Sequence, residues 1–250
     1  MTRHLLVIGG QRCGTTTLHG VLDAHPDIAM ARPARPEPKA FCSDEATNRG
    51  IEWYHRTYFA HARDDQLLGD KSTSYIEDPH APERAARMLG RPLVLAVLRD
   101  PIERAVSNWR FSTDNGLETR PLEAALRDNL AESRPWDHHA TSVSPFAYLE
   151  RGRYAGYLRA WLERFPDTSQ VLFLADLVGS DDTAGRLFAG LGLAPADVEP
   201  SRLNRSTSPA EPLPTGLVEE LRHYFAPSDR ELTELLGRTP PWATDTGSQQ

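Results

Sequence analysis

Gly9-x4-Gly14-Thr15-Thr16 sets two glycines five positions apart and follows them with two hydroxyl side chains. This is the spacing of a phosphate-binding loop, G-x-x-x-x-G-K-[ST], with Thr15 at the lysine position. Backbone N–H groups in succession and a helix N-terminus hold a phosphate even without that lysine. The lysine is what reaches the end phosphates of a nucleoside triphosphate. Its absence argues against ATP or GTP hydrolysis and leaves a monophosphate-type group as the ligand. The plainer alternative is a tight glycine-rich turn with no ligand. Cys13, inside the loop, reads as a small packing residue rather than a nucleophile.

Arg99-Asp100-Pro101 is the second place where residue types point to an anion. Arg99 offers a planar fork that suits a phosphate, and Ser107, eight residues on, adds a hydroxyl. Asp100 reads as a helix cap or an orienter of loop donors. A strand-end salt bridge is the competing role for Arg99. Two anion sites together suggest a ligand with phosphates at two separate places.

Those residues need elements to hold them. Leu5 to Ile8 is a short unbroken apolar run, the pattern of a strand buried on both faces. A loop and a helix over Thr15–Ala24 follow, closed by His25-Pro26. Three prolines within 31–40 exclude regular structure there. A helix is expected over Ile51–His61, a strand over Leu67–Ser72 and a helix over Pro82–Leu89. Pro92 to Leu98 is a second fully buried strand that runs into Arg99, at the carboxyl end where open α/β sheets bind ligands. Helices are expected over Ile102–Phe111, Leu122–Glu132, Tyr154–Phe165, Thr183–Leu191 and Leu217–Phe225, and a further strand over Val171–Ala175. This alternation predicts an α/β fold of three layers, a P-loop-type domain whose central, mostly parallel sheet is flanked by helices. It is expected to be one domain over residues 1–243, with a frayed tail at 244–250.

Composition narrows the function. A chain of 250 residues with 39% hydrophobic content buries a full core without staples. Its two cysteines, Cys13 and Cys42, exclude a disulfide scaffold and a four-cysteine zinc module. The net charge of −7 argues against a nucleic-acid partner. No run approaches the length of a membrane span, and Leu5–Ile8 is too short for a signal-peptide core, so a cytoplasmic protein is expected. Among 28 basic residues only Lys39 and Lys71 are lysines. The histidines show no metal-ligand spacing, and His138-His139 reads as part of a polar loop.

The motifs resemble those of the sulfotransferase family that uses 3′-phosphoadenosine-5′-phosphosulfate. Gly10-Gln11-Arg12-Cys13-Gly14-Thr15-Thr16-Thr17-Leu18 is similar to its 5′-phosphosulfate loop. Leu98 to Trp109 resembles its 3′-phosphate motif, with Arg99 and Ser107 in register. Glu37-Pro38-Lys39-Ala40-Phe41, followed by Gly50 to Tyr54, is similar to the acceptor-side segment of the bacterial and Golgi-type branch, the carbohydrate sulfotransferase-like one. Asp70-Lys71-Ser72-Thr73-Ser74-Tyr75 resembles that branch's Glu-Lys-x-Pro-x-Tyr stretch, with Asp70 in place of the glutamate and Thr73 in place of the proline. Arg151 to Tyr154, Trp161, Phe165-Pro166, Asn204-Arg205-Ser206 and Leu235 to Trp242 follow the family's later course.

The resemblance implies a reaction and roles. Sulfuryl transfer, like phosphoryl transfer, is an in-line displacement helped by positioning and electrostatics. Gln11, Arg12, Cys13, Gly14, Thr15, Thr16 and Thr17 would hold the donor's 5′ side, and Arg99, Ser107 and Arg205 the rest of it. Arg12 would touch the bridging oxygen or sulfuryl group, but a guanidinium cannot serve as a general acid. Glu37 is the candidate base for the acceptor hydroxyl, a solvated loop glutamate being the alternative. Lys39 and Lys71 would neutralise sulfuryl oxygens, and Lys71 is the better candidate to assist the leaving phosphate. The product would be adenosine 3′,5′-bisphosphate, and no step calls for a metal. The acceptor would be a hydroxylated small molecule, glycan or lipid. Trp53, Tyr54, Trp136, Phe146 and Tyr148 hint at an aromatic or amphipathic one. A homo-oligomer is compatible with the sequence. The rival readings are an atypical P-loop nucleotide kinase and a non-catalytic nucleotide-binding protein.

Overall fold

A computed structural model describes residues 2–135, 144–178, 183–196 and 212–243. Arg205, Trp136, His138, His139 and the 244–250 tail lie outside the described residues. The chain divides into two compact units, Met1–Leu98 with Tyr157–Arg205, and Arg99–Gly156 with Ser206–Gln250.

The first unit holds the sheet. Its elements run β1 (His4–Gly9), α1 (Thr15–Asp23), β2 (Ile28–Met30), α2 (Asp44–Thr47), α3 (Gly50–Tyr58), β3 (Leu67–Lys71), α4 (Ala81–Leu89) and β4 (Leu93–Leu98). The strand order is β2-β3-β1-β4-β5, where β5 is Ser169–Phe173, and every pairing is parallel. Helices flank this sheet, as predicted, so strands buried on both faces read as unbroken apolar runs. Leu5, Leu6, Val7 and Ile8 are wholly buried, as are Leu95, Val97 and Leu98. From β1 the chain crosses to β2 at one edge, comes back through β3 beside β1, and then passes to β4 on the other side of β1. Ligands of open α/β sheets gather at such a reversal, outside the carboxyl ends of the strands.

The second unit is helical. It contains α5 (Pro101–Asp114), α6 (Leu122–Ala131) and the first turn of α7 (Tyr154–Arg164). After β5 the first unit continues with α8 (Leu174–Val178) and α9 (Thr183–Gly190). The second unit ends with α10 (Thr215–Leu236). Leu217, Leu221 and Phe225 repeat every four residues along α10 and pack with Ile102, Ala105, Leu122 and Leu126. A stripe of that spacing faces one side of a helix.

Four elements differ from expectation. The strand expected at Val171–Ala175 is Ser169–Phe173, because its register with β4 ends at Leu98 opposite Phe173 and α8 begins at the next residue. The helix expected to stop at Phe225 continues to Leu236 with Pro227 inside it. A proline forfeits one backbone hydrogen bond, and the apolar residues on both sides of it, Phe225 and Leu232, are fully buried and hold the helix through. β2 and α2 were not foreseen. Each spans too few residues to show a period, and α2 declares itself only by its cap, where Ser43 Oγ accepts the Ala46 N–H at 3.1 Å.

Candidate active site

The phosphate loop joins β1 to α1. The Gly10 N–H donates to Val97 O at 2.8 Å, which anchors the loop to β4. Arg12 has φ +65° and Gly14 φ +86°, so the chain turns twice through the left-handed region before α1 begins. Gly14 has a second reason to be glycine: a Cβ there would lie 2.6 Å from Leu174 Cδ1. A Cβ on Gly9 would meet Ile76 at 2.7 Å and Thr73 O at 3.1 Å. The loop therefore starts in direct contact with the chain that follows β3. Thr15 and Cys13 are buried, Gln11 and Thr17 half-buried, Arg12 and Thr16 exposed. Cys13 Sγ donates to Gln11 O at 3.6 Å, a packing role that leaves no thiol facing outward. The cradle of tight backbone at the N-terminus of a nine-residue helix suits a phosphate ester.

β3 supplies the second part. Val7 of β1 pairs with Lys71, and the Ser72 N–H donates to Val7 O at 3.1 Å. Successive side chains of a strand point to opposite faces. Lys71 thus projects on one side while Asp70 and Ser72 share the other. Lys71 Nζ donates to Glu37 Oε1 at 2.6 Å. Thr73 donates to Glu37 Oε2 through both its N–H, at 2.9 Å, and its hydroxyl, at 3.0 Å. One carboxylate from the proline-rich segment is therefore gripped by Lys71, the last residue of β3, and by Thr73 two residues on.

The opposite face is a buried polar cluster. Asp70 is completely buried, with Oδ1 accepting from Ser72 Oγ at 2.8 Å. Its Oδ2 accepts from Tyr75 at 2.7 Å and from Tyr54 at 3.0 Å. Burial pushes the Asp70 carboxyl up to about 6, against the pull of those three hydroxyls. Burial likewise lifts the phenols of Tyr54 and Tyr75 well above their ordinary range, and the Cys42 thiol to about 12. His19 of α1 is held below its ordinary value chiefly by burial, with Asp23 opposing and Lys71 assisting.

Lys39 enters through its backbone. Its φ is +50°, uncommon for a residue with a side chain. Its N–H donates to Ser72 Oγ at 2.9 Å. Its side chain is half-buried.

In the second unit, Asp100 caps α5 by accepting the Ile102 N–H at 2.8 Å, as expected of it. Arg222 of α10 forks onto the same carboxylate at 3.1 and 2.5 Å. Arg99 Nε donates to Glu103 at 2.9 Å. Tyr154 donates to Arg99 O at 2.8 Å, which fixes the backbone there. Ser107 lies half-buried in the second turn of α5.

Of the residues that the resemblance singles out, Glu37, Lys39 and Lys71 come together around the end of β3, beside the start of the loop that carries Gln11 to Thr17. The ring of Asp70, Tyr54, Tyr75 and Ser72 was not foreseen as a unit. Strand alternation through Asp70-Lys71-Ser72 held the signal. Among the described residues no group of three or more His, Cys, Asp or Glu side chains is arranged to hold a metal ion. No helix among them is long and apolar enough to cross a membrane.

Comparison with known proteins gives the family. Residues 2–175 match the family described as the sulfotransferase domain, and the chain belongs to that family of transferases. It is similar to heparan sulfate glucosamine 3-O-sulfotransferase 3A1 of Mus musculus, with 26% identity over 95% of this chain and 63% of the relative. Similarity to heparan sulfate glucosamine 3-O-sulfotransferase 3B1 of Homo sapiens reaches 31% identity over 73% of this chain and 43% of that protein. The chain thus spans less than two thirds of the length of these relatives. The fold also matches a crystal structure of a sulfotransferase from Alicyclobacillus acidocaldarius, with a TM-score of 0.74 and 22% identity over 96% of this chain and 98% of that one.

Proposed function

We propose that this chain moves a sulfuryl group from 3′-phosphoadenosine-5′-phosphosulfate to an acceptor hydroxyl. The observation that supports it best is the Glu37–Lys71 pair, held where β3 ends, just before the Thr73–Ile76 stretch that the start of the phosphate loop touches. The bound donor supplies an activated sulfuryl group and a good leaving phosphate. The chain supplies the rest. Thr15, Thr16 and the loop amides bind the 5′-phosphate, with Gln11, Arg12, Cys13, Gly14 and Thr17 shaping the cradle. Arg99 and Ser107 take the 3′-phosphate, and Arg205 is assigned to the donor by resemblance.

Glu37 Oε1 or Oε2 accepts the acceptor's proton as its oxygen becomes nucleophilic. The three donors on Glu37 keep its carboxylate oriented before that transfer. Lys71 stands next to it as a compact cation, suited to developing negative charge on transferring or leaving oxygens. Lys39 adds a second ammonium from the acceptor side.

The named relatives act on heparan sulfate glucosamine, so glycans are the first acceptors to screen, ahead of hydroxylated small molecules and lipids. The decisive experiment incubates the chain with labelled donor and a panel of hydroxylated compounds and identifies a product heavier by one sulfuryl group. Transfer of phosphate from ATP, with none from the sulfate donor, would favour a nucleotide kinase instead.

A further inference from the structure

Asp70 is a fully buried carboxylate for which the chemistry above has no use. It forms no ion pair with an arginine or lysine among the described residues, and its three partners are all hydroxyls. Burying a carboxylate without a cation is costly, so such a group usually has work in holding something in place. Its arrangement shows what it holds. The Ser72 proton goes to Asp70 Oδ1, which turns the lone pairs of Ser72 Oγ toward the Lys39 N–H. Lys39 is a side-chain-bearing residue held at positive φ, and it stands two residues after Glu37.

The same four-residue stretch therefore clasps that segment twice. Lys71 and Thr73 hold the Glu37 carboxylate, and Ser72, oriented by Asp70, holds the backbone of Lys39. Tyr54 and Tyr75 complete the shell and fix the Asp70 carboxylate against rotation.

We propose that Asp70 and Ser72 are positioning residues for sulfuryl transfer: through the Lys39 amide they set the course of the 37–39 segment and so the aim of the Glu37 carboxylate. The inference rests on Glu37 acting as the base. Neither residue touches substrate. The pair acts only by fixing geometry, so its removal costs turnover while the phosphate loop keeps its ligand.

The test is a double-mutant cycle on Ser72→Ala and Glu37→Gln. The readout is release of adenosine 3′,5′-bisphosphate from the sulfate donor, with an acceptor hydroxyl compound and with water alone. Ser72→Ala is expected to lower turnover roughly 10-fold or more, since a misplacement of about 1 Å is enough for such a loss. Bisphosphate affinity should stay within about twofold of the parent, and Ser72→Thr, which keeps the hydroxyl, should recover most of the turnover. In the Glu37→Gln background Ser72→Ala should do little more, because the group it aims is already gone. Hydrogen exchange at the Lys39 amide should quicken in Ser72→Ala and in Asp70→Asn. Equal losses from Ser72→Ala with Glu37 or Gln at position 37, or unchanged turnover, would overturn the proposal. If Glu37→Gln itself leaves turnover unchanged, it is the assignment of the base that fails. Should Ser72→Ala not fold, Ser72→Cys keeps the volume, weakens the link and gives the same contrast.

Discussion

Lys71 Nζ lies 2.6 Å from Glu37 Oε1, joining residues 34 positions apart, with 8% and 17% of their side chains exposed. A pair this sheltered from water holds both side chains in one geometry, unlike the exposed pairs elsewhere among the described residues. It places the candidate base and the candidate cation in contact before any substrate arrives.

Glu37→Gln should keep bisphosphate binding and lower turnover by roughly 10²–10⁴-fold. Steady-state rates with the sulfate donor decide it, and near-normal turnover would return Glu37 to an ordinary loop residue. Lys71→Arg conserves charge but replaces a compact ammonium by a wider planar fork. Turnover is expected to fall roughly 10- to 100-fold in that variant, with bisphosphate affinity close to normal.

Adenosine 3′,5′-bisphosphate should raise the melting temperature far more than AMP or ATP at equal concentration. At a hundredfold excess over its dissociation constant the linkage amounts to about 2.7 kcal/mol. Equal shifts from AMP and the bisphosphate would remove the role given to Arg99 and Ser107. Arg99→Ala should weaken bisphosphate binding by roughly 1.5–3 kcal/mol, the value of a charge-assisted contact. Glu103→Gln frees the Arg99 Nε that Glu103 now engages, so binding should hold or improve in titration calorimetry.

Gly14→Ala should destabilise the chain and damage the phosphate loop together. The φ of +86° alone costs a side-chain-bearing residue roughly 1–2 kcal/mol, before the new Cβ displaces Leu174. Chemical denaturation measures the first effect and the bisphosphate melting shift the second. An alanine variant that is as stable and binds as well as the parent would show that the loop tolerates another course.

His4 and His55 face each other with Nε2 atoms 2.8 Å apart and rings stacked at 5.1 Å. Burial, reinforced by His55, pulls His4 down to about 4 from an ordinary 6.5. Below pH 6.5 the unfolded chain takes up the proton first, so stability falls as pH drops from 6.5 to about 4 and levels off below that. The slope is at most about 1.4 kcal/mol per pH unit for one group. His4→Phe should flatten that part of the stability–pH curve, and an unaltered slope would assign it to other groups.

Strong local signals were legible in the sequence. The apolar runs at Leu5 and Leu93 mark two neighbouring strands, and Gly9-x4-Gly14 marks the turn between a buried strand and a helix. Glu37 and Lys71 were picked out separately by resemblance, and their contact depends on a segment with no periodicity returning to the end of β3. Asp70 was visible only as a departure from a motif. Its contacts follow from the alternation of β3, which sets it beside Ser72, and from α3, which brings Tyr54 onto it. The helix expected to end at Phe225 runs on because the burial of Phe225 and Leu232, on either side of Pro227, is tertiary and has no local signature.

The scarcity of lysine makes this catalytic candidate chemically addressable. The chain has two primary amines in side chains, Lys39 and Lys71, and both fall in stretches that resemble the family's acceptor-side motifs. A common acylating reagent, which on most proteins would scatter over a dozen surface sites, becomes here a nearly site-directed probe. Half-buried Lys39 should acquire the label well before Lys71, which is buried and engaged with Glu37. Mass spectrometry of two peptides would then follow occupancy of the acceptor side in real time. The same property carries a practical warning: coupling this protein to an amine-reactive surface would tether it through the very residues whose chemistry is to be measured.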